Sequence, residues 1–166
     1  MKTFLLVVVL LFSNLATAKN QVVKIVVPFP PGGPTDYAAR YAQQVIKEQT
    51  KFIPTIEYKS GSGGDIGISE VANAPSSELV LVVSGVGIAA RVTANPVANN
   101  AKKLIPRVNI GNIPMILVSS QKFYSSVPSD WRQIDSQQPI NYASSGFGTG
   151  SYITAEIFKN ISKKNM

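Results

Sequence analysis

Short β-branched apolar runs alternate with helical stripes along the first half of the chain. Val22 to Val27 consists almost only of Val and Ile, which is typical of a strand buried on both faces. After a loop rich in Pro and Gly, apolar residues recur at helical spacing from Tyr37 to about Glu48 and predict a helix. Ile53 to Tyr58 and Leu79 to Ser84 predict two further strands, with a short helix over Asp65 to Ala74 between them. This alternation predicts an α/β fold with a parallel sheet covered on both faces.

The short helix between the second and third strands has its own boundary signals. Asp65 is expected to be its N-cap, and Pro75 is expected to end it. The apolar run from Leu79 to Ala90 continues past the third strand but is too short to span a bilayer.

The second half of the chain has a less regular pattern. Leu104 to Ser120 is apolar but interrupted by two prolines and a glycine, which fits two strands joined at a bend where the chain crosses between lobes. Ser126 to Ile134 fits a short helix beginning near Pro128, and Ile140 to Ala143 fits a short strand. A final helix is predicted by an apolar stripe that consists of Ile153, Ile157, Phe158 and Ile161.

The first eighteen residues have the pattern of a secretory signal peptide. Lys2 precedes the apolar run Phe4 to Phe12, and Ala16-Thr17-Ala18 is the small-x-small pattern of a cleavage site. The apolar run is about half of the roughly 20 residues that a membrane span needs. We therefore expect export and cleavage after Ala18.

The composition excludes several kinds of chemistry. The 166 residues include no His and no Cys, which excludes Ser-His-Asp and Cys-His nucleophile pairs, structural zinc sites and disulfides. The net charge of +7 is compatible with anionic small molecules, acidic surfaces or lipid head groups. Nucleic acid is disfavoured, because the chain has an export signal and its basic residues are not interleaved with aromatic ones.

Three predicted strand-to-helix loops are rich in Gly, Pro, Ser and Thr. They are loop 1 (Pro28 to Asp36), loop 2 (Ser60 to Gly67) and loop 3 (Ser144 to Ser151). Such loops bind anions when unpaired N–H groups of a helix start face the ligand, and in α/β sheets they gather at the carboxyl ends of the strands. The alternative, that each is only a tight turn, stays open for any one loop. The known nucleotide-binding signatures and the Gly-x-Ser-x-Gly elbow are absent.

The carboxylates near these loops have a simpler interpretation than catalysis. Asp36 and Asp65 both stand at predicted helix starts, where capping the backbone is the commonest role. General acid and base catalysis needs two groups whose environments separate their pKa values, and the sequence identifies no such pair.

The loops carry a resemblance to a known family. Pro28-Phe29-Pro30-Pro31-Gly32-Gly33-Pro34-Thr35-Asp36, before an Ala-rich helix with Arg40, resembles the first ligand loop of the tripartite tricarboxylate transporter substrate-binding proteins, the Bug family of periplasmic receptors. Two segments follow in the family's order. Glu57 to Gly67 resembles its second loop, and Tyr142 to Thr149, with Glu156 and Phe158, resembles the entry to the helix of its second lobe.

The resemblance implies a type II periplasmic binding protein with two lobes and a hinge, which closes on a small carboxylate. It implies a signal peptide over residues 1–18, a first lobe of βαβαβ type over 19–112, and an incomplete second lobe over 113–166. The implied protein is a receptor and not an enzyme, has no metal or cofactor, is monomeric if complete, and delivers its ligand to the membrane subunits of a tripartite transporter. The ligand residues carried over are Pro31, Gly32, Gly33, Thr35, Asp36 and Ser84 from the first lobe, and Ser144, Gly148, Thr149 and Ser151 from the second.

The sequence also departs from the family pattern. Tyr58-Lys59-Ser60 stands where the family usually has Asn-Arg-Pro, Pro75 to Glu78 replaces Pro-Asp-Gly-Tyr, and Tyr152 takes the place of a common His. Family members have roughly twice the length of the mature chain, so a truncated, non-functional remnant is the alternative to a working receptor. Two weaker alternatives are a secreted carboxylate-dependent hydrolase and a membrane-associated protein.

Overall fold

A computed structural model describes residues 21–94, 100–126 and 140–162. Its strands are β1 (Val22–Val27), β2 (Ile53–Tyr58) and β3 (Leu79–Val82). Its α-helices are α1 (Pro34–Gln49), α2 (Asp65–Ala72), α3 (Gly87–Ala94), α4 (Gln121–Ser126) and α5 (Gly150–Ser162). Two 3₁₀ helices cover Ser62–Gly64 and Asn100–Lys103.

The three strands form a parallel sheet in the order β2-β1-β3, as the alternating pattern predicts. The β1 strand is central, and Ile25 pairs with Ile56 on one side and Leu81 on the other. The first crossover runs from β1 to one neighbour and the second returns past β1 to the other. Because such crossovers are right-handed, the two helices lie on opposite faces of the sheet.

The core lies around β1. Val23, Ile25 and Val27 point to one face and pack with Ala39 and Ile46 of α1. Val26, which points to the other face, is also fully buried, and α2 packs against β1 and β3 on that side. Fully burying each such side chain contributes about 1.5–3 kcal/mol, which explains why this β-branched run is an interior strand.

The boundaries of α2 correct one prediction. Asp65 is the first residue of the helix and not its N-cap, which is Gly64 with φ +107°. Glycine adopts this left-handed backbone without the steric cost of a Cβ, so it can turn the chain into the helix at this position. The helix ends at Ala72, before Pro75, where the Asn73 side-chain amide donates to the Ser69 carbonyl at 2.7 Å.

The segment 104–120 differs from the two predicted strands, because it contains no strand and no helix. Its two prolines lack an N–H, and β1 to β3 pair only with one another within the described residues. Ile140 to Ala143 likewise forms no strand, because no neighbouring strand in the described part of the chain pairs with it. Without such pairing an apolar extended segment does not become part of a sheet.

Helices in the second half were predicted with mixed success. The final helix is confirmed as α5, with Thr149 at its start. The described helix nearest to the predicted Ser126 to Ile134 is α4, which begins after Ser120, whose hydroxyl accepts from the Phe123 N–H at 3.2 Å. Residues 127–139, like the predicted signal peptide, lie outside the described residues. The pattern did not predict α3, because Gly85 before the helix and Gly87 at its first position are typical of a loop.

Candidate functional site

Loop 1 begins where the ladder of β1 ends. Pro28 is fully buried and has no N–H to donate, so the strand stops at Val27. Gly32 has φ +90°, which favours glycine, and Gly33 is the N-cap of α1, with Pro34 at the first helical position. This sequence brings the first turn of α1, with its unpaired N–H groups, to the carboxyl end of β1.

Asp36 lies buried beneath loop 1, with 4 % of its surface exposed. Its Oδ2 accepts a hydrogen bond from the Gly32 N–H at 2.7 Å. Its Oδ1 accepts from Arg40 Nε at 2.9 Å and from the Tyr58 hydroxyl at 2.8 Å. Arg40 Nη2 also donates to the Tyr58 hydroxyl at 2.9 Å. Asp36 therefore closes loop 1 from below and is not the N-cap of α1, because it is the third residue of that helix and Gly33 is the N-cap.

The same contacts shift the pKa values of the three side chains. The hydrogen bond from the Gly32 N–H, supported by Tyr58 and Arg40, lowers the pKa of Asp36. The negative charge of Asp36 raises the pKa of Arg40, and the hydrogen bond to Asp36 raises the pKa of the Tyr58 hydroxyl. At neutral pH the site therefore has a carboxylate whose charge is balanced by the adjacent guanidinium, so it does not repel an anion as an unpaired carboxylate would.

Loop 2 packs against loop 1 through its glycines. Gly61, Ser62, Gly63 and Gly64 all have positive φ, and a Cβ on Gly64 would lie 3.3 Å from the Phe29 ring. A Cβ on Gly67 would lie 3.0 Å from that of Pro28. Larger residues at Gly64 or Gly67 would separate the two loops. Close approach of the backbones therefore requires glycine at both positions.

Loop 3 is held by hydroxyl groups. The hydroxyls of Ser145, Thr149 and Ser151 lie 2.7 to 3.2 Å from one another. Thr149 is buried, and its hydroxyl donates to the Gly146 carbonyl at 2.6 Å and accepts from the Tyr152 N–H at 3.4 Å, as an N-cap of α5 does. The Ser145 N–H donates to the Ser151 hydroxyl at 3.0 Å.

Two further contacts fix the surroundings of loop 3. The Tyr142 hydroxyl donates to Glu156 at 2.9 Å, which ties the chain before the loop to α5 and raises the pKa of Tyr142. The Phe147 ring contacts the Tyr152 ring, with their centroids 4.9 Å apart. Tyr152, at the position of the family's common His, thus packs beside loop 3.

The three loops meet at one end of the sheet. A Cβ on Gly146 would lie 3.6 Å from Gly63 Cα, and a Cβ on Gly87 would lie 2.6 Å from the Gly148 carbonyl oxygen. Loop 3 thus touches loop 2 and the start of α3, next to the carboxyl end of β3. The connection after β1 leads to β2 on one side, whereas β3 lies on the other side of β1, and open α/β sheets bind ligands in a crevice at such a point.

The structure distributes the predicted ligand residues unevenly around this crevice. Gly148, Thr149 and Ser151 of loop 3 are partly or fully buried, as are Gly33 and Thr35 of loop 1 and Ser84 after β3. Pro31, Gly32 and Ser144 are exposed, whereas Asp36 faces inward and has its oxygens occupied by protein donors. The predicted residues therefore lie in neighbouring loops, with Asp36 below the surface that the others share.

Sequence reasoning missed three residues of these networks. Arg40 and Asp36 are four residues apart on one helix, and this spacing is a signal for an ion pair. Ser145 lies within the predicted loop 3 and was not singled out. Tyr58 is 22 residues from Asp36, and only the parallel pairing of β1 and β2 brings it to loop 1.

Other features of the described residues suggest no second centre. They include no cluster of three or more Asp, Glu, His or Cys that could hold a metal ion. None of the helices in the described ranges is both long and apolar enough to cross a membrane. A surface depression of about 700 Å³ runs along α1 from Arg40 to the amino end of β2, lined by Gln43, Lys47, Phe52 and Pro54 among others.

Comparisons with known proteins agree with the resemblance of the loops. No family model matches the chain. It is 28% identical over 144 residues to a UPF0065 protein from the tcbD-tcbE intergenic region of Pseudomonas sp. strain P51, which covers 80% of this chain and 40% of the relative. It is 24% identical over 143 residues to BugT of Bordetella pertussis, covering 82% of this chain and 44% of BugT. A UPF0065 protein of Bordetella pertussis is 29% identical over 149 residues, covering 87% of this chain and 46% of that protein.

A solved structure described as that of a periplasmic transporter shares the fold. It has a TM-score of 0.63 and 22% sequence identity, over 90% of this chain and 52% of that one. The chain thus spans about half the length of the proteins it matches. This chain is therefore a homologue of the UPF0065 and Bug proteins, with the α/β fold of a periplasmic transporter protein.

Proposed function

We propose that this protein is an exported solute-binding receptor that captures a small organic carboxylate for a tripartite tricarboxylate-type transporter. The observation that supports the proposal best is the meeting of loops 1, 2 and 3 at the carboxyl ends of β1 and β3. Helix starts and hydroxyls in such a crevice supply the neutral donors that bind a carboxylate without a metal. The homology to Bug proteins supports the same class of function.

The proposed binding site has two sides. Residues 19–112 are the first lobe, residues 113–166 begin the second, and the whole belongs to the type II class of periplasmic receptors that close about a hinge. Carboxylate oxygens bind between the two sides, next to Gly33, Thr35 and Ser84 on one and next to Ser144, Gly148, Thr149 and Ser151 on the other. Pro31, which has no N–H, and Gly32, whose N–H donates to Asp36, line the site without donating to the ligand. Asp36 acts on the ligand indirectly, because its oxygens already accept three hydrogen bonds from the protein.

The proposed function includes export to the periplasm. Residues 1–18 are a signal peptide that is removed after Ala18, and the mature protein works in the periplasm beside the membrane subunits of the transporter. The proposed function is binding and release of the ligand, for which the described part of the crevice offers hydroxyls, backbone amides and a carboxylate neutralised by Arg40.

A second candidate function has its own support in the segment 104–120. Ile116, Leu117 and Val118 are consecutive and 81 %, 68 % and 77 % exposed, so apolar side chains on both sides of this extended segment face solvent. Strands of α/β proteins that are buried on both faces have this pattern. The relatives are about twice as long as the stretch matched here. The second candidate is therefore a partial receptor, or a remnant of one, that binds no ligand without further chain.

Titration of the purified mature protein with succinate, citrate, glutamate and benzoate tests the first candidate. A receptor gains RT ln(1 + [L]/Kd) in stability, about 2.7 kcal/mol at a hundredfold excess over Kd, and calorimetry then gives a single site. The matching amides, which lack the charge, and sulfate, which binds basic surfaces without selectivity, serve as controls. If no carboxylate stabilises the protein while an apolar dye binds to it, the receptor proposal fails and the partial receptor is favoured.

A further inference from the structure

The tip of loop 1 has little packing to hold it. A Cβ placed on Gly32 or Gly33 would have no atom within 4 Å, so the loop surface there is open. Gly33 is fixed by the helix, because its carbonyl accepts from the Tyr37 N–H at 3.1 Å. Gly32 is tied instead by its N–H to Asp36 Oδ2 at 2.7 Å. The position of the tip therefore depends on the orientation of one carboxylate.

That orientation is set on the opposite oxygen. The last torsion of an Asp side chain has broad preferences, so packing alone does not fix the plane of its carboxylate. Oδ1 receives both the Tyr58 hydroxyl and Arg40 Nε, which leaves Oδ2 for the Gly32 N–H. Tyr58 and Arg40 are the titratable or charged groups that contact Asp36 within the described residues.

Of these two donors, Tyr58 is the better anchored. The Arg40 side chain is 58 % exposed, so water competes for its donors. Tyr58 is the last residue of β2 and pairs with Val27, the last residue of β1. Its hydroxyl uses both of its capacities, donating to Asp36 and accepting from Arg40 Nη2 at 2.9 Å. It thus connects the sheet to Asp36 through a rigid ring.

We propose that Tyr58 is a positioning residue of the carboxylate site, whose hydroxyl orients Asp36 so that Asp36 holds the Gly32 N–H and keeps loop 1 open to the ligand. The inference rests on the proposed function and adds to it a residue that contacts no ligand. It also gives a role to one of the positions at which this chain departs from the family pattern. The backbone donors near the tip are then already ordered before the ligand arrives. Binding does not have to supply the entropy cost of ordering them, and this is how such a residue increases affinity.

Tyr58→Phe removes the hydroxyl alone and is the direct test. Tyr41→Phe is the matched control, because Tyr41 is 62 % exposed on α1 and makes no hydrogen bond through its hydroxyl among the described residues. Two measurements need no ligand: amide exchange at Gly32, and titration of the Asp36 carboxyl by carbon NMR. We expect Gly32 to exchange about tenfold faster in Tyr58→Phe, from the loss of one hydrogen bond in the network. We also expect the pKa of Asp36 to rise, because the Tyr58 hydroxyl lowers it.

The third measurement is the Kd for succinate and for citrate. We expect about tenfold weaker binding by Tyr58→Phe and no change in Tyr41→Phe. Arg40→Gln removes the second donor to Oδ1, which is the charged one, and should shift all three measurements in the same direction. It serves as the test if Tyr58→Phe does not fold. The proposal would be overturned if Tyr58→Phe left both the Gly32 exchange and the Asp36 titration unchanged. It would also be overturned if the wild type bound succinate or citrate and Tyr58→Phe bound the same acid with an unchanged Kd. If wild type binds neither acid while Gly32 exchange responds, the proposed function fails and the role of Tyr58 in holding the loop stands.

Discussion

Loops 1 and 3 are both glycine-rich loops that lead into helices, but different chemistry holds them. Loop 1 is closed by the buried carboxylate of Asp36, with Arg40 and Tyr58 as its partners. Loop 3 is closed by the neutral hydroxyls of Ser145, Thr149 and Ser151. The first arrangement depends on charge and pH, whereas the second depends on neither. Glycine content alone therefore does not say how an anion-binding loop is held in place.

The largest effect is expected from removing the carboxylate of loop 1. Asp36→Ala removes at once the three hydrogen bonds that this buried carboxylate accepts, from the Gly32 N–H, the Tyr58 hydroxyl and Arg40, and it leaves Arg40 without its counter-charge. We expect the greatest fall in melting temperature of the substitutions discussed here, together with loss of carboxylate binding. Thermal unfolding by circular dichroism measures the first effect. Asp36→Asn keeps one acceptor oxygen, so its melting temperature should lie between those of Asp36→Ala and wild type. An equal fall in melting temperature in the two variants would contradict a role for the acceptor.

The next effect tests whether loop 3 needs its contact with α3. A Cβ on Gly87 would lie 2.6 Å from the Gly148 carbonyl and 3.1 Å from Thr149 Cα, both backbone atoms. Gly87→Ala is therefore expected to reduce the free energy of unfolding by about 1–3 kcal/mol, as overpacking does. Gly85→Ala is the matched control, because a Cβ there meets no atom within 4 Å. Urea unfolding of both variants measures the difference, and equal stabilities would refute the close contact.

A smaller effect is expected from the hydroxyl at the centre of loop 3. Thr149→Val keeps the shape of the side chain and removes the oxygen that caps α5 and bonds the Gly146 carbonyl. Loss of an N-cap costs about 1 kcal/mol, with loop 1 unaffected. Thr149→Ser retains the hydroxyl and should restore most of the loss in urea unfolding. A cost in Thr149→Ser as large as that in Thr149→Val would assign the effect to the methyl group.

Sequence periodicity predicted the half of the molecule in which local pattern and burial agree. The strand from Val22 to Val27 and the helix after loop 1 were predicted because their apolar spacing matches their packing. The prediction of two strands over 104–120 was wrong, because a strand forms only beside another strand and the apolar pattern contains no information about a pairing partner. The N-cap assigned to Asp65 failed because Gly64 reaches a left-handed backbone that only the structure reveals.

The parts of the site that depend on local sequence were likewise predictable, and the parts that depend on topology were not. Its three loops follow from composition, and the Asp36–Arg40 pair was within reach of helical spacing. The link to Tyr58 was not, because it joins residues 22 positions apart and exists only through the order of the strands. Contacts that depend on topology are the ones that a linear pattern does not contain.

The smallest and most specific effect expected is a difference between loop 1 and loop 3 in their response to pH. The hydrogen bond from Gly32 lowers the pKa of Asp36 below the ordinary value of 3.8. A group whose pKa is lowered by folding stabilises the fold fully above its unfolded value, and this contribution is lost as the pH falls through its folded value. The Gly32 amide resonance should therefore titrate only in acid, below that ordinary value. The Ser145 amide, which donates to the neutral Ser151 hydroxyl, should not respond over the same range. Asp36→Asn should abolish the Gly32 titration and leave Ser145 unchanged. A parallel response of both amides would mean that acid unfolds the whole domain at once and that the two loops are not held independently.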